Sequence, residues 1–317
     1  MGTAKTQQTE RVADLLSQDE IIGGRYLVVS KLGQGAFGQI FMGRDKNTST
    51  EVAIKTEPHY DGNPCNDPRR LILEKNVLIA LRSVCHIPLI YACGKTKKQY
   101  HYIVMQLLGR NLTDLRKERD EKKFSAKTAF RAAIQIIYAL KALHEVGYVH
   151  RDVKPSNCCT GIGRRIRTVY LIDFGMCRRI ITKDGKRRPL REKCEFRGTI
   201  RYATLEVLRT GECGPCDDVV GWLYSTIEIY LSAVPWAKVT PREMVVMKQT
   251  LKDEEVCEGM PYGFLQCYKY AIGVTQEEMP NYNHILDCYQ ECLPSGTKAD
   301  DPYDWEELQN SHEVSSI

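Results

Sequence analysis

The chain has 317 residues, 43% of them hydrophobic and 27% charged, with a formal net charge of +5. That length suits one large two-lobed domain or two ordinary ones, with a substantial core. No apolar run approaches the roughly 18 residues of a membrane span, and residues 1–20 are polar with both charge signs, so no secretory signal is expected. Thirteen cysteines, odd in number and scattered, fit reduced thiols in the cytosol or nucleus rather than a disulfide framework.

In chain order, residues 1–20 read as a tail whose Val12, Leu15 and Leu16 are spaced for one or two amphipathic helical turns. Its start, Met1-Gly2-Thr3-Ala4-Lys5-Thr6, fits the N-myristoylation rule, a pattern short enough that a cloning scar also produces it. A single acyl chain would anchor only reversibly. Strands follow at 26–32, 39–45 and 51–56, rich in β-branched and aromatic residues and bounded by turn residues. A linker at 58–68 leads to a helix over about 69–83, and strands near 89–94 and 100–105 complete a small sheet. After Leu108-Gly109 the period becomes helical: Phe130, Ala133, Ile134, Ile137, Leu140 and Leu143 share one face of a long helix. Further helices are expected over 217–232, 241–252, 262–271 and 281–292. The fold class is α+β, with a small β-rich N-lobe (21–105), a hinge (106–109) and a larger, mainly helical C-lobe (110–295). An acidic extension, 296–317, should pack Tyr303 and Trp305 back on the domain.

Between the first two strands stands Gly33-Gln34-Gly35-Ala36-Phe37-Gly38-Gln39-Ile40, with G-x-G-x-x-G spacing. Dinucleotide-binding folds share that spacing but place a helix directly after it. Here a strand follows, and then Val52-Ala53-Ile54-Lys55, as in nucleotide triphosphate sites that hold the α- and β-phosphates with a lysine. Leu32, Gly33, Gln34, Gly35, Gly38, Ile40, Ala53 and Lys55 are therefore predicted to bind the nucleotide. Lys55 should pair with a glutamate on the next helix. Glu74 is the choice, flanked by Leu71, Ile72, Val77 and Leu78 as a packed face, against the alternative of a solvated helix charge. Met105 is placed behind the purine, and the backbone of Gln106 to Leu108 along the adenine edge.

The run His150-Arg151-Asp152-Val153-Lys154-Pro155-Ser156-Asn157 is followed by the strand Tyr170-Leu171-Ile172 and then Asp173-Phe174-Gly175. An Asp, an Asn five residues on and a second Asp delivered by a strand is the spacing of phosphoryl transfer. Asp152 would take the proton of the accepting hydroxyl, and Lys154 would neutralise charge on the transferred group. Asn157 and Asp173 would hold Mg²⁺, whose octahedron phosphates and water complete. The residues thus read as a protein kinase using ATP and Mg²⁺. Lys55, Asp152, Asn157 and Asp173 are all present, so a pseudokinase scaffold, the alternative, has no missing residue to rest on.

Several strings carry a more specific resemblance: Leu107-Leu108-Gly109-Arg110-Asn111-Leu112, Gly198-Thr199-Ile200-Arg201-Tyr202-Ala203, Cys216-Asp217-Asp218 and Val234-Pro235-Trp236. With the 150–157 run, they resemble the casein kinase I superfamily. Phe196-Arg197-Gly198-Thr199 and Asp304-Trp305-Glu306 are more similar to its tau-tubulin kinase branch. The resemblance covers about residues 21–307 and implies a two-lobed fold and phosphorylation of Ser or Thr in proteins; Lys154 is characteristic of that class. Departures are Thr204-Leu205-Glu206 where relatives have Ser-Ile-Asn, Gly221 where they have Ser, and a longer linker before the Glu74 helix. These bear on substrate choice.

Between positions 161 and 201 thirteen basic residues face four acids. Such a patch would attract acidic or already phosphorylated protein substrates, since guanidinium groups bind phosphate bidentately. The resemblance points to Arg201 as the anion contact; a solvated basic loop is the plain alternative. Nucleic acid is not expected, for want of a stacking or recognition motif. From Phe174 to Arg201 only Thr182 and Thr199 carry hydroxyls, which predicts activity without a switching phosphorylation. Cys213-Gly214-Pro215-Cys216 spells a thioredoxin-type motif, the basis of a third reading as thiol oxidoreductase, but outside the strand-to-helix context that chemistry uses. A monomer is expected.

Overall fold

The computed structural model describes residues 13–35, 38–58, 69–182 and 184–306. The myristoylation motif, Val12, Ala36, Phe37, most of the 58–68 linker and the end of the acidic extension lie outside the described residues. Along the chain come β1 (Ile21–Ile22), β2 (Tyr26–Gln34), β3 (Gln39–Asp45) and β4 (Glu51–Glu57). The helix α1 (Arg69–Ala80) follows, then β5 (Ile90–Lys95) and β6 (His101–Gln106). Among the described residues these six strands form one antiparallel sheet in the order β1-β2-β3-β4-β6-β5. Alternation along β3 turns Gln39, Phe41, Gly43 and Asp45 inward, the period-2 signature of a half-buried strand. Phe41, Val52, Ile54, Tyr26 and Val104 then make the core of this unit.

Leu16 joins that core at 1% exposure, which corrects one expectation. Residues 13–20 form no helix. The buried amide of Gln39 reads this strap instead: Oε1 accepts Leu15 N–H at 2.8 Å and Nε2 donates to Ala13 O at 3.0 Å. A side chain thus meets the backbone's hydrogen-bonding needs that a helix would otherwise meet internally.

The chain divides into two compact units: the described residues up to Leu71 with Ile90–Gln106, and Ile72–Leu89 with those from Leu107 onward. The second unit is mainly helical. It holds α2 (Leu112–Lys117), α3 (Ala126–Glu145), α4 (Leu205–Thr210), α5 (Pro215–Leu231), α6 (Pro241–Thr250), α7 (Asp253–Val256), α8 (Tyr262–Ile272) and α9 (Tyr282–Glu291). Two short ribbons accompany them, β7 (Tyr148–Val149) with β10 (Arg178–Arg179), and β8 (Cys158–Thr160) with β9 (Val169–Leu171). The predicted stripe of α3 is buried, from Phe130 to Leu143. Beside it α5 is buried almost from end to end, and its Trp222 donates from Nε1 to Ala133 O at 3.1 Å. α5 begins two residues earlier than expected because Pro215 suits a first helical turn, where no N–H partner is needed. On α1, Leu71, Glu74, Val77 and Leu78 are buried but Ile72 is exposed, so the packed face is narrower than predicted. Among the described residues no helix is long and apolar enough to cross a membrane.

Tyr303 and Trp305 do pack back. Asp304 accepts from Ser125 N–H at 2.6 Å, Ser125 Oγ at 2.8 Å and Thr128 Oγ1 at 2.8 Å, fixing the N-cap serine whose Oγ accepts Thr128 N–H at 3.3 Å at the start of α3. Trp305 is fully buried, stacked on Tyr303 at 4.3 Å and edge-on to Phe124 at 5.6 Å. Trp305→Ala should therefore lower the unfolding free energy by about 3–5 kcal/mol. Urea unfolding followed by far-UV circular dichroism checks this; a loss below 1 kcal/mol (~5-fold in the folding constant) would refute it.

Candidate active site

The loop between β7 and β8 owes its shape to a carboxylate far along the chain. Asp218, in the first turns of α5, accepts His150 N–H at 2.6 Å, Arg151 N–H at 2.9 Å and the Nε2 side of His144 at 2.9 Å. Burial pushes its carboxyl up, but the hydrogen bond and charge of His144 and the loop amide bring it below the usual carboxylate range. Pinned there, Arg151 takes a left-handed backbone (φ 71°). Its guanidinium is spent on Met176 O (2.6 Å) and Cys177 O (3.3 Å). Gly198 passes so close that a Cβ would lie 2.3 Å from Arg151 O, and its φ of +123° also excludes other residues. His150 donates from Nε2 to Ile172 O (3.0 Å), leaving Nδ1 to accept Asp152 N–H (3.3 Å), and its ring meets Phe174 edge-on at 5.4 Å.

Asp152 is the hub. Its Oδ1 accepts Thr199 Oγ1 at 2.7 Å, and its Oδ2 lies 2.7 Å from Lys154 Nζ and 3.2 Å from Asn157 Nδ2. Lys154 also donates to Thr199 Oγ1 at 2.9 Å, and Asn157 to Asp152 O at 2.8 Å. Because the Asn157 amide nitrogen is committed to Asp152, its oxygen is the atom it can offer a cation. The β8–β9 ribbon pairs Cys158 with Leu171, and Ile172 N–H donates to Asn157 O at 2.9 Å. That bond (2.9 Å) joins the end of the loop to the residue before Asp173, which is left-handed at φ 67°. One amide oxygen and one carboxylate, both hard donors brought together by a single ribbon, fit Mg²⁺.

In the sheet unit, Gly35 N–H closes the glycine turn on Gly38 O at 2.9 Å. A Cβ on Gly38 would lie 2.4 Å from Thr56 O, so the turn needs glycine to sit against β4. Register places Ile40 opposite Lys55 and Ala53 opposite Met105, with Gln106 opposite Val52. Leu32, Gly33 and Gln34 end β2. The predicted nucleotide residues of this unit thus share one sheet and one turn. Glu74 and Leu108 belong to the second unit. Glu74 is 2% exposed, which removes the solvated-charge alternative.

Sequence reasoning missed the acids that organise the segment after Asp173. Glu212, 1% exposed, holds Arg178 and accepts Arg191 Nε at 2.7 Å and Arg191 N–H at 3.1 Å. Burial raises its carboxyl, and Arg191, the amides and Arg178 overcome this to leave it lowered. Glu228 accepts Tyr202 OH at 2.6 Å and Arg116 at 2.8 Å, with Arg201 3.7 Å away. Arg201 is therefore partly engaged, and Arg178 and Arg191 are met by an acid from outside their own segment. Cys213 and Cys216 are buried, and burial pushes both thiols up, the reverse of a reactive pair. No signal beyond an isolated acid, in a connecting segment for Glu212 and within a helix for Glu228, marked either residue.

A sheet whose third long strand carries Lys55, and a loop that carries Asp152, Lys154 and Asn157 and is bonded to the residue before Asp173, mark a protein kinase domain. The chain belongs to the protein kinase family, whose domain matches residues 26–273. A probable serine/threonine-protein kinase of Dictyostelium discoideum is 36% identical over 294 residues, 92% of this chain. The chain spans only 58% of that relative's length. A putative casein kinase I of Caenorhabditis elegans is 33% identical over 96% of this chain and 90% of its own length. Another serine/threonine-protein kinase of that nematode is 29% identical over 92% and 82%.

Asp217, next to Asp218 on α5, accepts Gly214 N–H at 2.8 Å, Gln276 Nε2 at 2.7 Å and the Thr204 hydroxyl. Burial nonetheless raises its carboxyl to about 6. The folded chain then keeps a proton that the unfolded chain releases near its ordinary 3.8, so this group's stabilisation is full below about pH 4 and is lost as pH rises through 6. The loss is on the order of 3 kcal/mol. Melting of wild type and Asp217→Asn across that window should show the wild type losing ground to the variant as pH rises; a constant gap refutes it.

Proposed function

We propose that the chain is an active ATP- and Mg²⁺-dependent Ser/Thr protein kinase of the casein kinase I type, nearest its tau-tubulin branch, acting on acidic or already phosphorylated proteins. The observation that carries this reading is the single hydrogen-bonded set of Asp152, Lys154, Asn157 and Thr199. Asp152 accepts the proton of the incoming hydroxyl. Thr199 and Lys154 hold its two oxygens in place, and the Lys154 ammonium offsets negative charge on the transferred group. Asn157 and Asp173 would hold Mg²⁺, which supplies charge neutralisation at the phosphates. In the sheet unit, Lys55 would position the α- and β-phosphates, and Met105 and Gln106 the base.

Asp152→Asn should lower transfer to casein or an acidic peptide by about 10²–10⁴-fold, with Asp173→Asn comparably impaired. Wild-type transfer no greater than that of these variants would replace the enzyme reading with a scaffold.

The segment after Asp173 supports activity without a switching phosphate. Arg151 is filled by backbone carbonyls, and Arg178 and Arg191 by the chain's own Glu212. Thr182 closes a local turn, donating to Lys186 O at 2.9 Å and accepting Lys186 N–H at 3.1 Å. Thr182→Ala, produced in a host without protein kinases, should keep wild-type activity; a loss beyond about tenfold would show that a phosphate is required.

A further inference from the structure

α6 sends Lys248 beneath the short 3-10 turn Ile200–Tyr202 that follows Thr199. Its Nζ donates to Arg201 O at 3.0 Å, to Ile200 O at 3.3 Å and to Ala203 O. The same ammonium lies 4.6 Å from the ring centroids of both Tyr224 and Trp236, which meet edge to face at 4.8 Å. Trp236 Nε1 donates to the same Arg201 O at 2.9 Å. Burial pushes the ammonium down to about 7. Three carbonyl oxygens and two π-faces oppose that penalty and favour the cation.

The turn that Lys248 holds has functional residues on both sides. Thr199, just before it, bonds Asp152 and Lys154. Arg201 within it keeps its side chain 38% exposed, fixed at 3.7 Å from Glu228 and 3.4 Å from Ala237 O. Thr204, just after it, caps α4 through Val207 N–H at 3.2 Å. A cation that gathers the carbonyls of 200, 201 and 203 therefore decides where the Arg201 guanidinium points. It reaches none of the atoms that accept the proton or hold the metal.

We propose that Lys248 is a positioning residue for the acceptor side of the reaction, setting affinity for acidic or phosphorylated peptides through the 200–203 turn and Arg201. The proposal rests on the kinase reading above. Lys248→Met keeps the apolar stem against Tyr224 and Trp236 and removes the charge; Lys248→Arg keeps the charge.

Steady-state transfer to an acidic serine peptide and to its pre-phosphorylated form is measured alongside nucleotide-free binding of the same peptides by fluorescence anisotropy. Lys248→Met should raise acceptor KM and peptide Kd by about tenfold and leave the KM for ATP within about twofold. Lys248→Arg should recover most of the loss. Trp236→Phe, which removes the second donor to Arg201 O while keeping an aromatic ring beside Lys248, should shift acceptor KM and Kd in the same direction, and carries the test if Lys248→Met fails to fold. Unchanged acceptor KM and Kd in folded Lys248→Met overturn the proposal, as does a fall in kcat with both KM values unmoved, the mark of a merely structural lysine. A wild type that binds peptide but transfers no phosphate defeats the kinase reading instead, while the Kd shift still decides the role of Lys248.

Discussion

Everything in the catalytic loop hangs from the buried carboxylate of Asp218. At 2% exposure it would be costly alone, yet two backbone N–H groups and His144 satisfy it. Those bonds hold Arg151 in a left-handed conformation that no arginine adopts freely, and the strain is stored where the chain must turn to present Asp152. Gly198 follows from the same turn, because Arg151 O occupies the space a Cβ would need. The placement of Asp152 is thus set by Asp218, 68 positions beyond His150 in the chain.

Charge in this protein is used in two ways. The segment after Asp173 is rich in arginine, and composition alone suggests a free basic face. In the folded chain Arg178 and Arg191 converge on Glu212, and Arg187 donates to Gln276 O at 2.6 Å. These contacts order the segment and leave fewer guanidinium groups for a substrate than the count implies. Where several cations share one buried acid, the acid sets both their placement and their availability.

Much of the architecture was legible because its signals are local. The alternation of β3, the stripe of α3 and the motif positions from Gly33 to Asp173 each arise within a few residues, so spacing alone located them. The strap at 13–20 was misread because Val12, Leu15 and Leu16 have helical spacing in sequence, while the partner that decides the strap's conformation, Gln39, lies on β3. Ile72 looked like part of a packed face, and the structure leaves it exposed. The pair Cys213 and Cys216 matched a redox string, and burial at the start of α5 makes both inert.

The sequence by itself determined the chemistry on offer: which carboxylates, amides and lysines exist, and at what spacing along strands and loops. Tertiary structure alone decided which of them meet. Glu212, Glu228 and Lys248 are single polar residues without period or motif, and Asp218, though part of a motif, carries no mark of its partners; each acts on backbone or side chains tens of residues away. Hydrogen bonds reach only about 3 Å, so their partners are fixed by packing and not by order in the chain.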